Sequence, residues 1–199
     1  MKKLWLSSSV IVGRILAVLA VIGLVASGML MHETIEYAKN ANYTPSCNIN
    51  PIISCTSAMG SPVAEAIPGL PNPALGLIAF GALFAFAVML MAGTKVAKSI
   101  WLAGLMVSFA GALAVVFLFS YSISVLSTVC PWCFTTWLTT IAVFWVFVTH
   151  SLRENYLTLP KSVAGVGRLW SNNAGLVLAI IYAILIFIIL VKFNQALFV

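Results

Sequence analysis

The hexapeptide VCPWCF, residues 129–134, lies between two long apolar segments and carries two of the four cysteines of the chain. The other two, Cys47 and Cys55, lie in the one long polar loop. Proline is favoured in the first turn of a helix, so the second of the two apolar segments should begin as a helix at Pro131. The sequence therefore predicts a helical scaffold that brings the two cysteine pairs together.

The composition is that of a protein embedded in lipid. Of its 199 residues, 62% are hydrophobic and only 7% are charged, and the mean hydropathy is +1.12. Soluble domains contain about 25% charged residues, so these charges are too few to cover a water-facing surface. The net charge is +6, but the basic residues lie between the apolar segments and form no patch, which argues against nucleic acid as a partner.

The apolar stretches predict five membrane-spanning helices. A bilayer core is about 30 Å thick and needs about 20 apolar residues, and lipid cannot satisfy bare backbone groups. The qualifying stretches are about residues 10–31, 73–92, 99–121, 131–149 and 174–191. We expect an all-α integral membrane protein, a four-helix transmembrane bundle plus a fifth transmembrane helix. A cleaved secretory signal is the alternative for the first stretch, but the interruption by Arg14 and the length of the run count against it.

Two parts of the chain are expected to differ in role. Residues 1–150 should form the four-helix bundle, with an outer loop at 32–72. Residues 151–199 should supply a cytoplasmic linker and the fifth helix. Within the outer loop, Ser61-Pro62 is typical of a helix start and predicts a short helix over residues 63–67.

Basic residues predict how the chain is oriented in the cell membrane, since lysine and arginine are enriched in cytoplasmic loops. The residues expected on the cytoplasmic side are Lys2, Lys3, Arg14, Lys95, Lys98, Arg153, Lys161 and Arg168. With five alternating spans, the N-terminus is then cytoplasmic. All four cysteines and the C-terminus are outside, where disulfides persist.

The cysteine spacings favour redox chemistry. A Cys130–Cys133 bridge closes a loop of about four residues, for which the chain-entropy stabilisation is only about 2 kcal/mol. At a helix N-terminus, Cys130 is also placed for thiolate stabilisation. Two pairs on one side of the membrane can pass two electrons by thiol–disulfide exchange. The alternatives are buried thiols or a structural bridge at Cys130 and Cys133, and a plain loop disulfide between Cys47 and Cys55.

A metal centre is not expected, because the cysteine spacings do not match common zinc patterns and no histidine lies beside them. A relay at a membrane surface needs an electron acceptor, and a lipid-soluble quinone suits that place. Asn72 either donates to a quinone carbonyl or caps the second spanning helix. Aromatic residues are candidates to wall the quinone, or else form an interfacial belt: Phe80, Phe84, Trp132, Phe134 and Trp137.

The cysteine pattern resembles that of the vitamin K epoxide reductase family. It has a Cys-x7-Cys pair in the first outer loop, Ser61 six residues after the second cysteine, and a Cys-x-x-Cys opening the fourth helix. The tracts NPIISC at 50–55 and PNPALG at 71–76 resemble its prokaryotic members. The resemblance covers about residues 10–150. It implies a four-helix bundle around a quinone of the menaquinone or ubiquinone type. Such proteins oxidise thioredoxin-like partners in the periplasm or the equivalent outer space.

The resemblance also implies roles for single residues. Cys130 and Cys133 match the active-site pair, with Cys133 engaging the quinone ring. Cys47 and Cys55 match a shuttle pair, which would hand electrons on through a transient Cys55–Cys130 disulfide. Polar residues near the quinone carbonyls are matched by Ser61 and Asn72.

The chain also departs from the family pattern. Trp137 stands where the family often has tyrosine, and tryptophan offers no hydroxyl. Many prokaryotic members continue into a fused thioredoxin-like domain, whereas this sequence stops at Val199, so we expect a separate secreted thioredoxin-like thiol protein as partner.

Two other classes were compared with this interpretation. Disulfide bond formation protein B uses similar chemistry, but its Cys-x-x-Cys comes in the first outer loop and its wider pair later, the reverse of the order here. The non-enzymatic alternative is a helical membrane protein, a transporter subunit or scaffold, with structural disulfides. A transport pathway needs polar groups inside the bundle, and the spanning segments contain few beyond scattered serines and threonines.

Overall fold

The computed structural model describes residues 9–40, 42–157, 165, 167, 170 and 172–197. Its helices are α1 Ser9–Lys39, α2 Thr56–Met59, α3 Asn72–Met91, α4 Lys98–Tyr121, α5 Pro131–Arg153 and α6 Ala174–Leu197, and its strands are β1 Glu65–Ile67 and β2 Leu70–Pro71. Among the described residues, five helices are long and apolar enough to cross a membrane. The predicted all-α membrane fold with five spans is therefore confirmed. Lys2, Lys3, Lys161 and Arg168, which entered the predicted orientation, lie outside the described residues.

α1 is longer than a bilayer is thick. Its 31 residues extend over roughly 46 Å, against about 30 Å for the hydrocarbon core. A helix of this length extends beyond the hydrocarbon core. Its last turns carry Glu33 and end at Lys39, where the loop with the first cysteine pair follows.

α1 lies between α3 and α5, and the three helices share an apolar core at the end of the bundle away from the cysteines. A Cβ at Gly13 would lie 2.8 Å from the Leu90 Cβ, so only glycine permits the close approach of α1 and α3. Trp101 of α4 completes this core, in contact with the rings of Phe86 and Phe147. The buried members are Val12, Leu16, Ala17, Ala87, Leu90, Trp101, Val143, Val146 and Phe147.

The other helices leave space inside the bundle. α3 packs against α1, and α4 packs against α5. A π-helical turn at Ser122–Leu126 continues α4, and Ser127 then adopts the left-handed conformation, with φ 50°, that ends it. Between α3, α4 and α5 lies a large cavity, which reaches from the cysteines towards the opposite end of the bundle.

The outer loop differs from the sequence prediction. The predicted helix at 63–67 is wrong, because the four-residue helix α2 comes earlier and β1 and β2 form an antiparallel hairpin instead. Gly69 turns the hairpin with φ +81°, a conformation that glycine adopts without strain. The Asn72 side chain accepts a hydrogen bond from the Ala66 backbone N–H at 2.9 Å and donates to the Val63 carbonyl at 2.7 Å.

One backbone contact joins the outer loop to the start of α5. Ile53 and Val129 form an isolated parallel bridge, in which the Val129 N–H donates to the Ile52 carbonyl at 2.7 Å. Phe193 of α6 packs against Ile52 and Val129. Earlier in the same helix, the Tyr182 hydroxyl donates to the Leu138 carbonyl of α5 at 2.6 Å. The fifth helix thus contacts the segment that brings the cysteine pairs together.

Candidate redox site

The four cysteines lie together at one end of the bundle. Cys47 and Cys55 form a disulfide, whereas Cys130 and Cys133 are free thiols. The Sγ atoms of Cys55 and Cys130 lie 3.1 Å apart. Cys55 is 0% exposed and Cys130 is 2% exposed, so the contact between the two pairs is shielded from water.

Side chains hold the loop that carries the first pair, in place of regular secondary structure. The Asn48 Oδ1 accepts hydrogen bonds from the backbone N–H groups of Cys55 at 2.8 Å and Thr56 at 3.3 Å, and from the Ser54 hydroxyl at 3.1 Å. Its Nδ2 donates to Thr56 Oγ1 at 2.6 Å. The Asn50 side chain accepts from the two backbone N–H groups that precede Ser54. These bonds fix the turn between the two cysteines.

The helix start positions the second pair. Cys130 is the N-cap of α5, with extended backbone, and its Sγ accepts a hydrogen bond from the Cys133 backbone N–H at 3.3 Å. The hydrogen bond from the Cys133 thiol lowers the pKa of the Cys130 thiol most strongly, and burial opposes this. The geometry therefore favours Cys130 as the thiolate of the pair, as its place at a helix N-terminus also predicts.

Glu33 is a residue that the sequence interpretation did not single out. It is 2% exposed and lies on α1 beneath the chain that leads to Cys47. Its carboxylate accepts hydrogen bonds from the Tyr43 hydroxyl at 2.8 Å, from the Ser46 backbone N–H at 3.2 Å and from the Ser46 hydroxyl. The bond to Glu33 raises the pKa of the Tyr43 phenol. A carboxylate among the residues at the outer end of an apolar helix was the available signal in the sequence.

The cavity has a volume of about 730 Å³ and its wall is mostly apolar. Along α4 it extends from Tyr121 to Gly104, a distance of roughly 25 Å at the rise of a helix. Both thiols contribute to its wall at one end. The residues of α5 and its N-cap that line it are Cys130, Cys133, Thr136, Trp137, Thr140, Val143 and Phe147.

Four of the residues predicted to contact a quinone line this cavity: Ser61, Asn72, Phe80 and Trp137. The Phe80 ring lies so close over Gly23 of α1 that a Cβ there would collide with it. The Trp137 ring packs edge-on against Phe119, with ring centroids 5.9 Å apart. Ser61 donates its hydroxyl to the Ala58 carbonyl at 2.8 Å. Asn72 does not cap α3. Its amide group is hydrogen-bonded to the hairpin segment and therefore does not point freely into the cavity.

The other three predicted aromatic residues do not line the cavity. Phe84 is 38% exposed on α3. Trp132 packs against the cluster of buried residues around the Cys47–Cys55 disulfide. Phe134 packs against the clusters that contain Val129 and Trp137. Aromatic residue type did not distinguish the side chains that face the cavity from those that face elsewhere.

The shape and the lining of the cavity suit a quinone. Its ring and tail are apolar, and the cavity offers aromatic walls, one long apolar channel and a thiol pair at its end. In the part of the chain that the structure describes, no three His, Cys, Asp or Glu side chains come together as metal ligands.

Comparison with known protein families matches residues 14–148 to the vitamin K epoxide reductase family. The match includes all four cysteines and the helices α3, α4 and most of α1 and α5. A search of curated proteins found no match to the chain. Proteins of this family are membrane oxidoreductases that link thiols to quinones. Since the match spans more than half of the sequence, this multi-pass membrane protein belongs to the vitamin K epoxide reductase family.

Proposed function

We propose that the protein reoxidises a separate secreted thioredoxin-like protein and so supports disulfide bond formation outside the cell. Electrons would pass from the partner to Cys47–Cys55, then to Cys130–Cys133, and finally to a quinone. The observation that carries this proposal is the 3.1 Å contact between the Sγ atoms of Cys55 and Cys130, one from each pair. Thiol–disulfide exchange requires such a sulfur–sulfur approach.

The first exchange takes electrons from the partner. A partner thiolate attacks a sulfur of the Cys47–Cys55 disulfide and forms a mixed disulfide. The second partner thiol then attacks the partner's first sulfur in the mixed disulfide, which leaves the partner oxidised and both loop cysteines reduced. Two electrons and two protons move from the partner to the loop pair, so no other oxidant is consumed.

The second exchange passes the electrons to the helix pair. The Cys55 thiolate attacks Cys130 of an oxidised Cys130–Cys133 pair, so the Cys55–Cys130 bond forms and Cys133 leaves as a thiolate. Cys47 then attacks Cys55, the loop disulfide forms again, and Cys130 leaves and takes up a proton. The bonding state observed, with a loop disulfide and two helix thiols, is the product of this exchange.

The cavity would hold the quinone. Phe80 and Trp137 would wall its ring, with Ser61 and Asn72 nearby, and the apolar channel along α4 would take its tail. A bound quinone would supply the acceptor for two electrons and two protons from Cys130 and Cys133. Cys133 would face the ring, while Cys130 faces Cys55. Cys130 is buried and Cys133 is half-buried, which limits the access of water to the two thiols.

The proposed placement in the cell membrane puts the N-terminus in the cytoplasm and all four cysteines outside. Residues 1–150, with the outer loop at 32–72, would carry the chemistry. Residues 151–199 would supply the cytoplasmic linker and an added anchor that reaches the outer side. Labelling with a membrane-impermeant thiol reagent in intact cells, after reduction, should modify the loop cysteines but not a cysteine placed at Lys95 in the loop between α3 and α4.

The test is quinone reduction by purified protein in detergent, driven by dithiothreitol. Wild type should reduce the quinone. Cys133→Ala should lose at least about 100-fold of the rate, since two electrons can no longer leave as a disulfide. Cys47→Ala is the matched control: the same substitution in the loop pair should leave the dithiothreitol rate within about threefold of wild type but stop turnover with reduced thioredoxin.

These variants also separate the proposal from the non-enzymatic alternative. A scaffold with structural disulfides would show no quinone reduction in wild type with any of several menaquinones and ubiquinones. Equal activity in wild type and Cys133→Ala would remove the helix pair from the mechanism. If Cys47→Ala kept full turnover with thioredoxin, the loop pair would not be the shuttle.

A further inference from the structure

Glu33 is an ionisable side chain buried at the cysteine end of the molecule, and the proposed electron path does not use it. Lys39 pairs with the partly exposed Glu36 instead, and no salt bridge to Glu33 is formed by the residues that the structure describes. Burying a carboxylate costs free energy unless hydrogen bonds compensate for the lost water. A position needed only for packing would be filled more favourably by an apolar residue.

All the donors that compensate Glu33 come from one short segment, residues 43–46. The Tyr43 hydroxyl, the Ser46 N–H and the Ser46 hydroxyl converge on the two carboxylate oxygens. Hydrogen bonds to a charged acceptor are about twice as strong as neutral ones. Ser46 directly precedes Cys47, so the carboxylate fixes the backbone that carries the first cysteine of the shuttle pair.

The same face of α1 also supports the sulfur atoms. Leu30, one turn before Glu33, belongs to the same buried cluster as Cys47, Cys55 and Cys130. Residues three apart lie on one side of a helix. One rigid helix therefore contacts the sulfur cluster through Leu30 and the entry to the loop through Glu33.

We propose that Glu33 is a positioning residue of the electron relay, which holds Cys47 beside Cys55 and so favours resolution of the Cys55–Cys130 disulfide. This inference rests on the proposed function and adds a residue to it. In the resolving step, the Cys47–Cys55 bond forms, the Cys55–Cys130 bond breaks, and Cys130 leaves as a thiolate. A tethered Cys47 acts at a higher effective concentration than one on a free loop.

The effect can be measured without quinone or partner. In a Cys133→Ser background, only Cys47, Cys55 and Cys130 remain, and Cys55 can pair with either of the others. Equilibration in a glutathione redox buffer, acid quenching and mass spectrometry give the ratio of Cys47–Cys55 to Cys55–Cys130. Adding Glu33→Ala should shift this ratio about tenfold towards Cys55–Cys130, equivalent to about 1.4 kcal/mol. Glu33→Gln retains one carbonyl acceptor and should shift it less.

Glu36→Ala is the matched control, since it also removes a carboxylate from α1. The Glu36 carboxylate is partly exposed and pairs with Lys39. It should leave the ratio unchanged. Ser46→Ala and Tyr43→Phe each remove donors but keep the carboxylate. They test the proposal if Glu33→Ala does not fold, and each should shift the ratio in the same direction by a smaller factor.

A ratio within about twofold of the parent in Glu33→Ala, or in both donor variants if that protein does not fold, would overturn the positioning role. An equal shift in Glu36→Ala would do so as well, because it would point to net charge as the cause. The failure of quinone reduction in wild type would instead count against the proposed function. The disulfide ratio is independent of that result, so the two failures are distinguishable.

Discussion

The two cysteine pairs are close in space but are held by different means. Cys130 and Cys133 lie at the start of a 23-residue helix, which fixes the two residues one turn apart. Cys47 and Cys55 lie in a loop that Asn48 and Glu33 hold by side-chain hydrogen bonds. A helix turn moves only with the rest of its helix, whereas a loop held by a few bonds opens locally at a small cost.

The difference suits the two roles that we propose. A pair that meets a separate protein has to change its surroundings, and the loop permits this. A pair that faces a cavity has to keep its geometry, and the helix ensures this. Cys55 is the point of contact, since its sulfur lies within reach of both Cys47 and Cys130. The predictions below test whether this contact and these two kinds of support have the consequences that we expect.

The largest effect is expected for the contact itself. In the double variant Cys47→Ser/Cys133→Ser, mild oxidation with diamide should join Cys55 to Cys130 in nearly all molecules, because their sulfurs are 3.1 Å apart. The matched control is Cys55→Ser/Cys133→Ser, which leaves Cys47 and Cys130 and should cross-link little. Peptide mapping under non-reducing conditions measures both. Equal cross-linking in the two proteins would mean that the loop has no preferred cysteine.

A smaller effect is expected when the loop loses its central side chain. Asn48→Ala removes an acceptor for three donors around Cys55. The N–H of Cys55, a residue that is 0% exposed, then loses its partner, which costs about 1–3 kcal/mol. Turnover with reduced thioredoxin should fall about tenfold, and the rate with dithiothreitol should change little. Asn42→Ala, at an exposed asparagine nearer the start of the loop, is the control. A parallel fall in both rates would show that Asn48 supports the whole bundle instead of the loop pair.

The helix pair should respond to pH rather than to loop contacts. The Cys133 thiol donates to Cys130 and lowers the pKa of Cys130 below that of an ordinary thiol. The thiolate therefore forms at lower pH than in a free thiol. Removing the donor in Cys133→Ala should raise the pKa of Cys130, so alkylation of Cys130 near neutral pH should slow several-fold and its midpoint should move to higher pH. Site-specific mass spectrometry of the alkylated protein measures this.

Cys133→Ser provides the control for that experiment, since serine keeps a hydroxyl donor. Its alkylation midpoint should lie between those of wild type and Cys133→Ala. If the midpoint in Cys133→Ala equalled that of wild type, the backbone N–H and the helix start would by themselves account for the lowered pKa of Cys130.

The sequence was sufficient for the parts of the fold that depend on local pattern. Apolar runs predicted all five spans, and Pro131 predicted the start of α5. The loop was predicted less well. Ser61-Pro62 is typical of a helix start, but Gly69 favours a turn, and the Asn72 amide closes a hairpin across nine residues of chain. That tertiary contact outweighs the local helix signal.

The site shows the same division between local and long-range information. Cysteine spacing identified the four sulfur-bearing residues, which the structure brings together. Glu33 was missed because its donors come from a segment 10 to 13 residues later, after the chain has turned at the end of α1. Phe84 was predicted at the cavity from its residue type. The packing of α3 against α1 determines which face of α3 lines the cavity, and Phe84 lies on another face.

The smallest effect is expected at the fifth helix. Phe193 is 6% exposed and packs against Ile52 and Val129, beside the bridge between the loop and the start of α5. Phe193→Ala removes one side of that contact, so turnover with reduced thioredoxin should fall only about twofold, equivalent to about 0.4 kcal/mol. Phe187→Ala on the same helix, at a ring that is 65% exposed, should have no effect. A fall of tenfold or more for Phe193→Ala would mean that α6 supports the sulfur contact as strongly as the loop does.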